Sequence, residues 1–170
     1  MPITTTGLAV IAYYVAAPGF FVIGMLLLGY GERRDVGIHA TLVGVFQFAT
    51  VVLALLVGDA ELALNIAVFN YIWLAAGLVF WFGEGTDITL ANHLIFPAMA
   101  FFILGAKYIV VDGTLYFGLS QWSYTVVLVM VTLANYGRLN PRIPGWTLNV
   151  LAFVTVFFPT WMFLYNIPMP

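Results

Sequence analysis

Six apolar stretches alternate along the chain with short segments that hold nearly all of its charge, glycine and proline. They run over residues 7–29, 38–57, 62–82, 89–111, 115–136 and 146–166. A hydrocarbon core about 30 Å thick asks for roughly 20 apolar residues per helix, and each stretch supplies them. The breaks fall at 29–35, 57–61, 83–87, 111–113 and 137–145, where glycine, proline and aspartate form turns and cannot extend a helix cheaply. Barrel strands would alternate apolar and polar at every second residue, and these runs are apolar throughout. The pattern predicts an all-α, polytopic membrane protein: a six-transmembrane-helix bundle forming one domain over residues 1–170.

Composition agrees with the pattern. Of 170 residues, 64% are hydrophobic and only 7% are charged. A soluble domain carries about 25% charged residues, so in water this chain would expose large apolar patches and aggregate. The predicted surroundings are membrane lipid. Without a run of basic residues there is no electrostatic footprint for nucleic acid. Cysteine is absent, which removes disulfides, thiolate metal sites and a cysteine nucleophile. Met1 to Thr6 lack the basic segment of a signal peptide, so the first apolar run is expected to remain as a helix.

Orientation follows from the arginines. Arg33 and Arg34 lie in the first connection, Arg138 and Arg142 in the fifth. In a six-span chain those connections share a side, which the positive-inside rule makes cytoplasmic. The connections on the other side carry Asp59, Glu61 and Asp112 and no arginine. The chain is therefore expected in the cell membrane with both termini outside. The third connection is acidic, with Glu84 and Asp87, but acidic residues weigh little in this rule.

Polar side chains inside the spans carry the candidate chemistry. Span two holds His39, Gln47 and Thr50; span three holds Asn65 and Asn70. Span five is the most polar, with Ser120, Gln121, Ser123, Thr125, Thr132 and Asn135, and span six holds Asn149, Thr155 and Thr160. Such amides and hydroxyls can simply join neighbouring helices by hydrogen bonds. They can also line a route for a neutral polar solute. That second reading is favoured by the type of group: no aspartate or glutamate falls inside a span, whereas ion-coupled transporters place an acid or base at mid-membrane. Gln47, Asn70, Gln121 and Asn149 would then replace the solute's hydration shell. The in-span aromatics Tyr71, Trp73, Trp122 and Tyr124 would narrow the route, their alternative being packing against lipid or a neighbouring protomer. Tyr13–Tyr14, Trp81–Phe82, Trp146 and Trp161 sit near span ends, where interfacial belts form.

Other chemistry finds little support. Lys107, beside Tyr108 near the outer end of span four, is placed to extend its stem to the headgroups. His39 and His93 are far apart and lack the spacing of a metal or haem site, so no metal and no cofactor is expected. No triad, phosphate-cradling loop or paired carboxylate marks an enzyme. Gly24 and Gly29, like Gly77 and Gly83, suit close helix contact.

Several segments resemble the AmiS/UreI family of small six-helix urea and short-chain amide channels. They are Val22-Ile-Gly-Met-Leu-Leu-Leu-Gly29, Leu42-Val-Gly-Val-Phe-Gln-Phe-Ala-Thr50 and Phe69-Asn-Tyr-Ile-Trp73, together with Phe117-Gly-Leu, Trp122 and Tyr124, and Val154-Thr-Val-Phe-Phe-Pro-Thr-Trp161. The resemblance implies a constriction at Tyr71 and a homo-oligomer, a hexameric ring around a lipid plug. It also implies a pore that is constitutively open, because the outer connections lack the histidines of the acid-gated branch. The chain departs from the family at Leu151, where an acidic residue is usual, at Ile23 in place of an asparagine, and in most fifth-helix tryptophans. The expected function is a passive channel or facilitator for a small neutral polar solute such as urea or a short-chain amide. The alternative is a non-transporting integral subunit that anchors or assembles a larger complex.

Overall fold

A computed structural model describes residues 4–83, 87–165 and 167. Six helices are long and apolar enough to cross a membrane. They are α1 (Thr5–Leu27), α2 (Arg33–Leu56), α3 (Ala60–Phe82), α4 (Asp87–Val110), α5 (Leu115–Asn135) and α6 (Arg142–Leu164). The chain is an all-α six-helix membrane bundle, and no strand occurs among the described residues. Glu84, part of the expected acidic connection, lies outside the described residues.

Helix bounds differ most from the sequence expectation at two starts. α2 begins at Arg33 and α6 at Arg142, four or more residues before their apolar runs. Helical hydrogen bonding does not stop where hydrocarbon stops, so a charged first turn extends the helix into the headgroup layer. Local signals fix the other ends. The Thr4 hydroxyl accepts from Gly7 N–H at 3.1 Å to start α1, and the Asp59 carboxylate accepts from Leu62 N–H at 2.8 Å to start α3. Between α2 and α3 the chain reverses through Gly58, whose φ of 83° lets Asp59 N–H reach back to the Ala54 carbonyl at 2.9 Å.

Each helix packs against the next, and α6 returns to α1, so the six make a closed ring. Small residues set the tightest contacts, because lipid tails are as apolar as leucine and close packing must supply the attraction. A Cβ on Gly37 would stand 2.5 Å from the Trp81 backbone nitrogen, and one on Gly77 2.7 Å from that of Thr41, so α2 and α3 touch backbone to backbone. Gly105 and Gly118 do the same for α4 and α5: a Cβ on either would lie about 3.0 or 2.9 Å from the other's carbonyl oxygen. α1 meets α6 where a Cβ on Gly24 would fall 2.9 Å from the Gly145 carbonyl. Gly77→Ala is expected to lower the melting temperature in detergent by the equivalent of about 1–3 kcal/mol, since backbone must move to admit the methyl. An unchanged melting curve would contradict this packing.

These contacts also order the ends. Arg33 lies over the Phe80 ring at 5.0 Å, joining the start of α2 to the end of α3. The Tyr136 hydroxyl donates to the Asn92 side-chain oxygen, joining the end of α5 to the start of α4. With α1 on α6 through Gly24 and Gly145, the turns bearing Arg33, Arg34, Arg138 and Arg142 share one end of the ring. Asp59, Glu61, Lys107 and Asp112 share the other.

Candidate functional site

The interior of the ring is closed at mid-height by stacked aromatics. Phe20 comes from α1, Phe69 from α3, Phe101 from α4 and Tyr124 from α5, and all are buried. Their centroids lie close: Phe69–Phe101 at 4.7 Å, Phe69–Tyr124 at 5.0 Å, Phe101–Tyr124 at 5.3 Å and Phe20–Tyr124 at 5.6 Å. Mixed stacked and edge-on pairs of this kind add about 0.5–1.5 kcal/mol each beyond the area they bury. One turn on from Phe69, Trp73 meets Phe20 edge-on at 5.1 Å.

α6 holds this layer from the side. Pro159 has no N–H, so the carbonyls of Thr155 and Val154, four and five residues earlier, receive no bond from it. Over Ala152–Phe157 the helix relaxes into a π-helical turn. Both carbonyls are then met by α5. The Tyr124 hydroxyl donates to Thr155 O at 3.0 Å, and the Tyr116 hydroxyl donates to Val154 O at 2.6 Å. The proline thus removes the α-helical competitor for the carbonyl that holds the central tyrosine.

A cavity lies on each side of the aromatic layer. Toward the arginine end a space of about 40 Å³ is walled by Phe20, Trp73, Leu94, Tyr124 and Val131, with Asn135 as its amide. At roughly 10–15 Å³ per water it has room for about three. Toward the acidic end a space of about 10 Å³ is lined by Tyr13, Gln47, Asn65 and Phe69. Tyr13 and Asn65 also line an open vestibule of about 260 Å³, with Asp59, Glu61, Tyr108 and Phe163. Asn65 donates to the Tyr108 hydroxyl at 3.1 Å. At the vestibule rim the Lys107 ammonium sits 2.8 Å from Glu61 and 2.7 Å from Asp112. The vestibule and the small cavity share Tyr13, Leu62 and Asn65, the small cavity reaches Phe69 of the aromatic layer, and the inner cavity is walled by Phe20, Phe101 and Tyr124 of that layer.

The expected site residues divide. Trp73, Tyr124, Gln47 and Gln121 are each at most 2% exposed; Trp73 and Tyr124 wall the inner cavity, Gln47 lines the small one, and Gln121 is buried within the bundle. Gln47 donates to the Ala12 carbonyl at 3.2 Å, joining α2 to α1, and its own carbonyl oxygen has no partner. Both amide atoms of Gln121 are buried without partners, as are the Trp73 indole N–H and the Asn135 side-chain nitrogen. Asn149 is buried between α6 and α1, its amide 3.6 Å from the Met25 sulfur and its oxygen unpartnered. Asn70 is used structurally, donating to the Gly44 carbonyl of α2. Tyr71 does not reach the interior. It is 42% exposed on the outer face, where its hydroxyl is 2.6 Å from His93 Nδ1. Trp122 also lies away from the interior, stacked on Phe102 and donating to that residue's carbonyl at 3.1 Å between α5 and α4.

Phe20, Phe69, Phe101 and Tyr13 belong to the site although their sequence pattern does not single them out. Tyr13 lines the small cavity while its neighbour Tyr14 is 58% exposed, so only the second fits an interfacial belt. Among the described residues no three His, Asp or Glu side chains gather as metal ligands. No family model, curated protein or solved structure matches the chain.

Proposed function

We propose that the chain is a passive facilitator for a small neutral polar solute, with urea and short-chain amides as the leading candidates. The observation that carries the reading is the file of spaces inside one protomer. An open vestibule and a small amide-lined cavity approach the aromatic layer from one end, and a second cavity meets it from the other. The ring cluster of Phe20, Phe69, Phe101 and Tyr124 lies between the two, Phe69 facing one space and the other three facing the second. Apolar constrictions of this kind gate by excluding water, and a ring flip or a shift of Tyr124 would join the spaces.

The unpartnered amides at Gln47, Gln121 and Asn135 support a polar passenger. A buried donor or acceptor without a partner costs about 1–3 kcal/mol, which passing water or solute would relieve. The ion cluster of Lys107, Glu61 and Asp112 stands at the rim, and no ionised side chain lines the inner cavity, so a neutral passenger suits the path better than an ion. The likeness of Phe69–Trp73 and Val154–Trp161 to the AmiS/UreI family points the same way, with homo-oligomers as its corollary.

Stopped-flow swelling of proteoliposomes tests the reading. Urea and acetamide are expected to enter faster than into protein-free vesicles. Identical rates for both solutes would sink it.

The Tyr71–His93 pair favours a second reading, a non-transporting subunit. A polar pair on an outward membrane face is costly against lipid and well suited to a partner helix. Purification in mild detergent separates the two: stoichiometric unlike chains support the subunit, and a homo-oligomer supports the facilitator.

A further inference from the structure

We propose that Gln121 is the selectivity point of the barrier, a buried carboxamide that pairs with a planar solute carrying both an N–H donor and a C=O acceptor. The proposal rests on the facilitator reading and adds to it the atoms that choose the passenger.

Its place in the fold is specific. On α5, Phe117 lines the vestibule and Tyr124 forms the aromatic layer, four residues before and three residues after Gln121. Those separations put the three side chains on one helical face, at successive heights along the path. By height along α5, Gln121 therefore falls between the vestibule and the layer.

Its state is equally specific. The side chain is 0% exposed, and neither its nitrogen nor its oxygen has a hydrogen-bond partner. Its neighbours in the span are satisfied: Ser120 donates to the Tyr116 carbonyl at 2.9 Å one turn back, and Thr125 to the Ala98 carbonyl of α4 at 3.2 Å. A glutamine retained for helix association would be joined to a facing helix, as Asn70 is to Gly44. Gln121 offers instead one donor pair and one acceptor, side by side and dry. The complement is another carboxamide. Urea, formamide and acetamide can each form two antiparallel N–H···O=C bonds with it, whereas glycerol offers only hydroxyls on a bulkier, non-planar frame. Once past Gln121, a flat solute meets the faces of Phe69, Phe101 and Tyr124, which match its shape.

The test compares wild type with Gln121→Met, which keeps length and removes the hydrogen-bonding atoms. Stopped-flow rates for urea, glycerol and water, and melting temperature in detergent, are measured on both. The urea-to-glycerol ratio is expected to fall about ten-fold, the size of a lost hydrogen-bonded contact, while water flux is retained and the melting temperature rises. The rise matters because a structural glutamine would give the opposite sign. An unchanged ratio beside measurable wild-type urea flux overturns this assignment alone. Equal loss of all three fluxes with a lowered melting temperature also overturns it, by making Gln121 a packing residue. Wild type indistinguishable from empty vesicles overturns the facilitator reading itself.

Discussion

Tyr124→Phe and Pro159→Ala are each expected to raise solute flux, and the double variant to raise it no further than the stronger of the two. Both act on one hydrogen bond. The phenol of Tyr124 donates to the Thr155 carbonyl at 3.0 Å, and Pro159, four residues on, removes that carbonyl's usual α-helical donor. Phenylalanine removes the donor. Alanine restores an N–H that competes for the acceptor and lets the π-helical turn tighten toward α-helix. Either way the ring at the centre of the barrier loses its tether and spends more time turned aside. A neutral hydrogen bond contributes about 0.5–1.5 kcal/mol net, so the open population should grow about two- to ten-fold. Two changes that break the same interaction are not additive, and a double-mutant cycle reads that directly. Tyr116→Phe is the control, since its bond to Val154 ends at the exposed side of α5 and α6 and should leave flux unchanged. Additive gains would show that Pro159 and Tyr124 act separately.

The number of spans was legible in the sequence because charge and turn formers recur at the interval a bilayer sets, and nothing but lipid tolerates that spacing. Which face of each helix looks inward was not. In water an amphipathic stripe marks the core, but in lipid both faces are apolar and the stripe disappears. α3 illustrates the loss. Phe69, Ile72, Trp73, Ala76 and Phe80 are buried, while Tyr71, in the middle of that run, faces outward to His93. The Phe69-Asn-Tyr-Ile-Trp73 motif assigns the constriction to Tyr71, which lies outside, while its flanking rings Phe69 and Trp73 are the buried ones. Polar residues were better guides because their cost in hydrocarbon is high on any face. Gln47 and Gln121 are buried, and Asn70 is buried too, spent on a backbone carbonyl. The acceptor at Thr155 could have been anticipated from Pro159 alone, since a proline in a span always frees a carbonyl one turn before it. Its partner could not, because Tyr124 comes from a different helix.

Replacing Arg33, Arg34, Arg138 and Arg142 together by glutamine is expected to turn a single orientation into a mixture. The two turns that carry them are far apart in sequence but lie at one end of the ring, brought there by the Arg33–Phe80, Tyr136–Asn92 and Gly24–Gly145 contacts. At the opposite end Lys107 is the basic residue among those described, and Glu61 and Asp112 hold it at 2.8 and 2.7 Å. The basic bias between the ends is therefore strong, and it is the bias in lysine and arginine near span ends that fixes insertion. Reporter fusions read the result. A phosphatase active only outside the cytoplasm should be active at either terminus of the wild type, and a fluorescent protein that matures only inside should be dark at both. With the four arginines removed, both reporters should give partial signal at each terminus. Lys107→Gln should leave the wild-type pattern intact, because a neutralised cation at the rim contributes little to the choice. Termini reporting opposite sides in the wild type would exclude six crossings, and with them the closed ring on which the barrier depends.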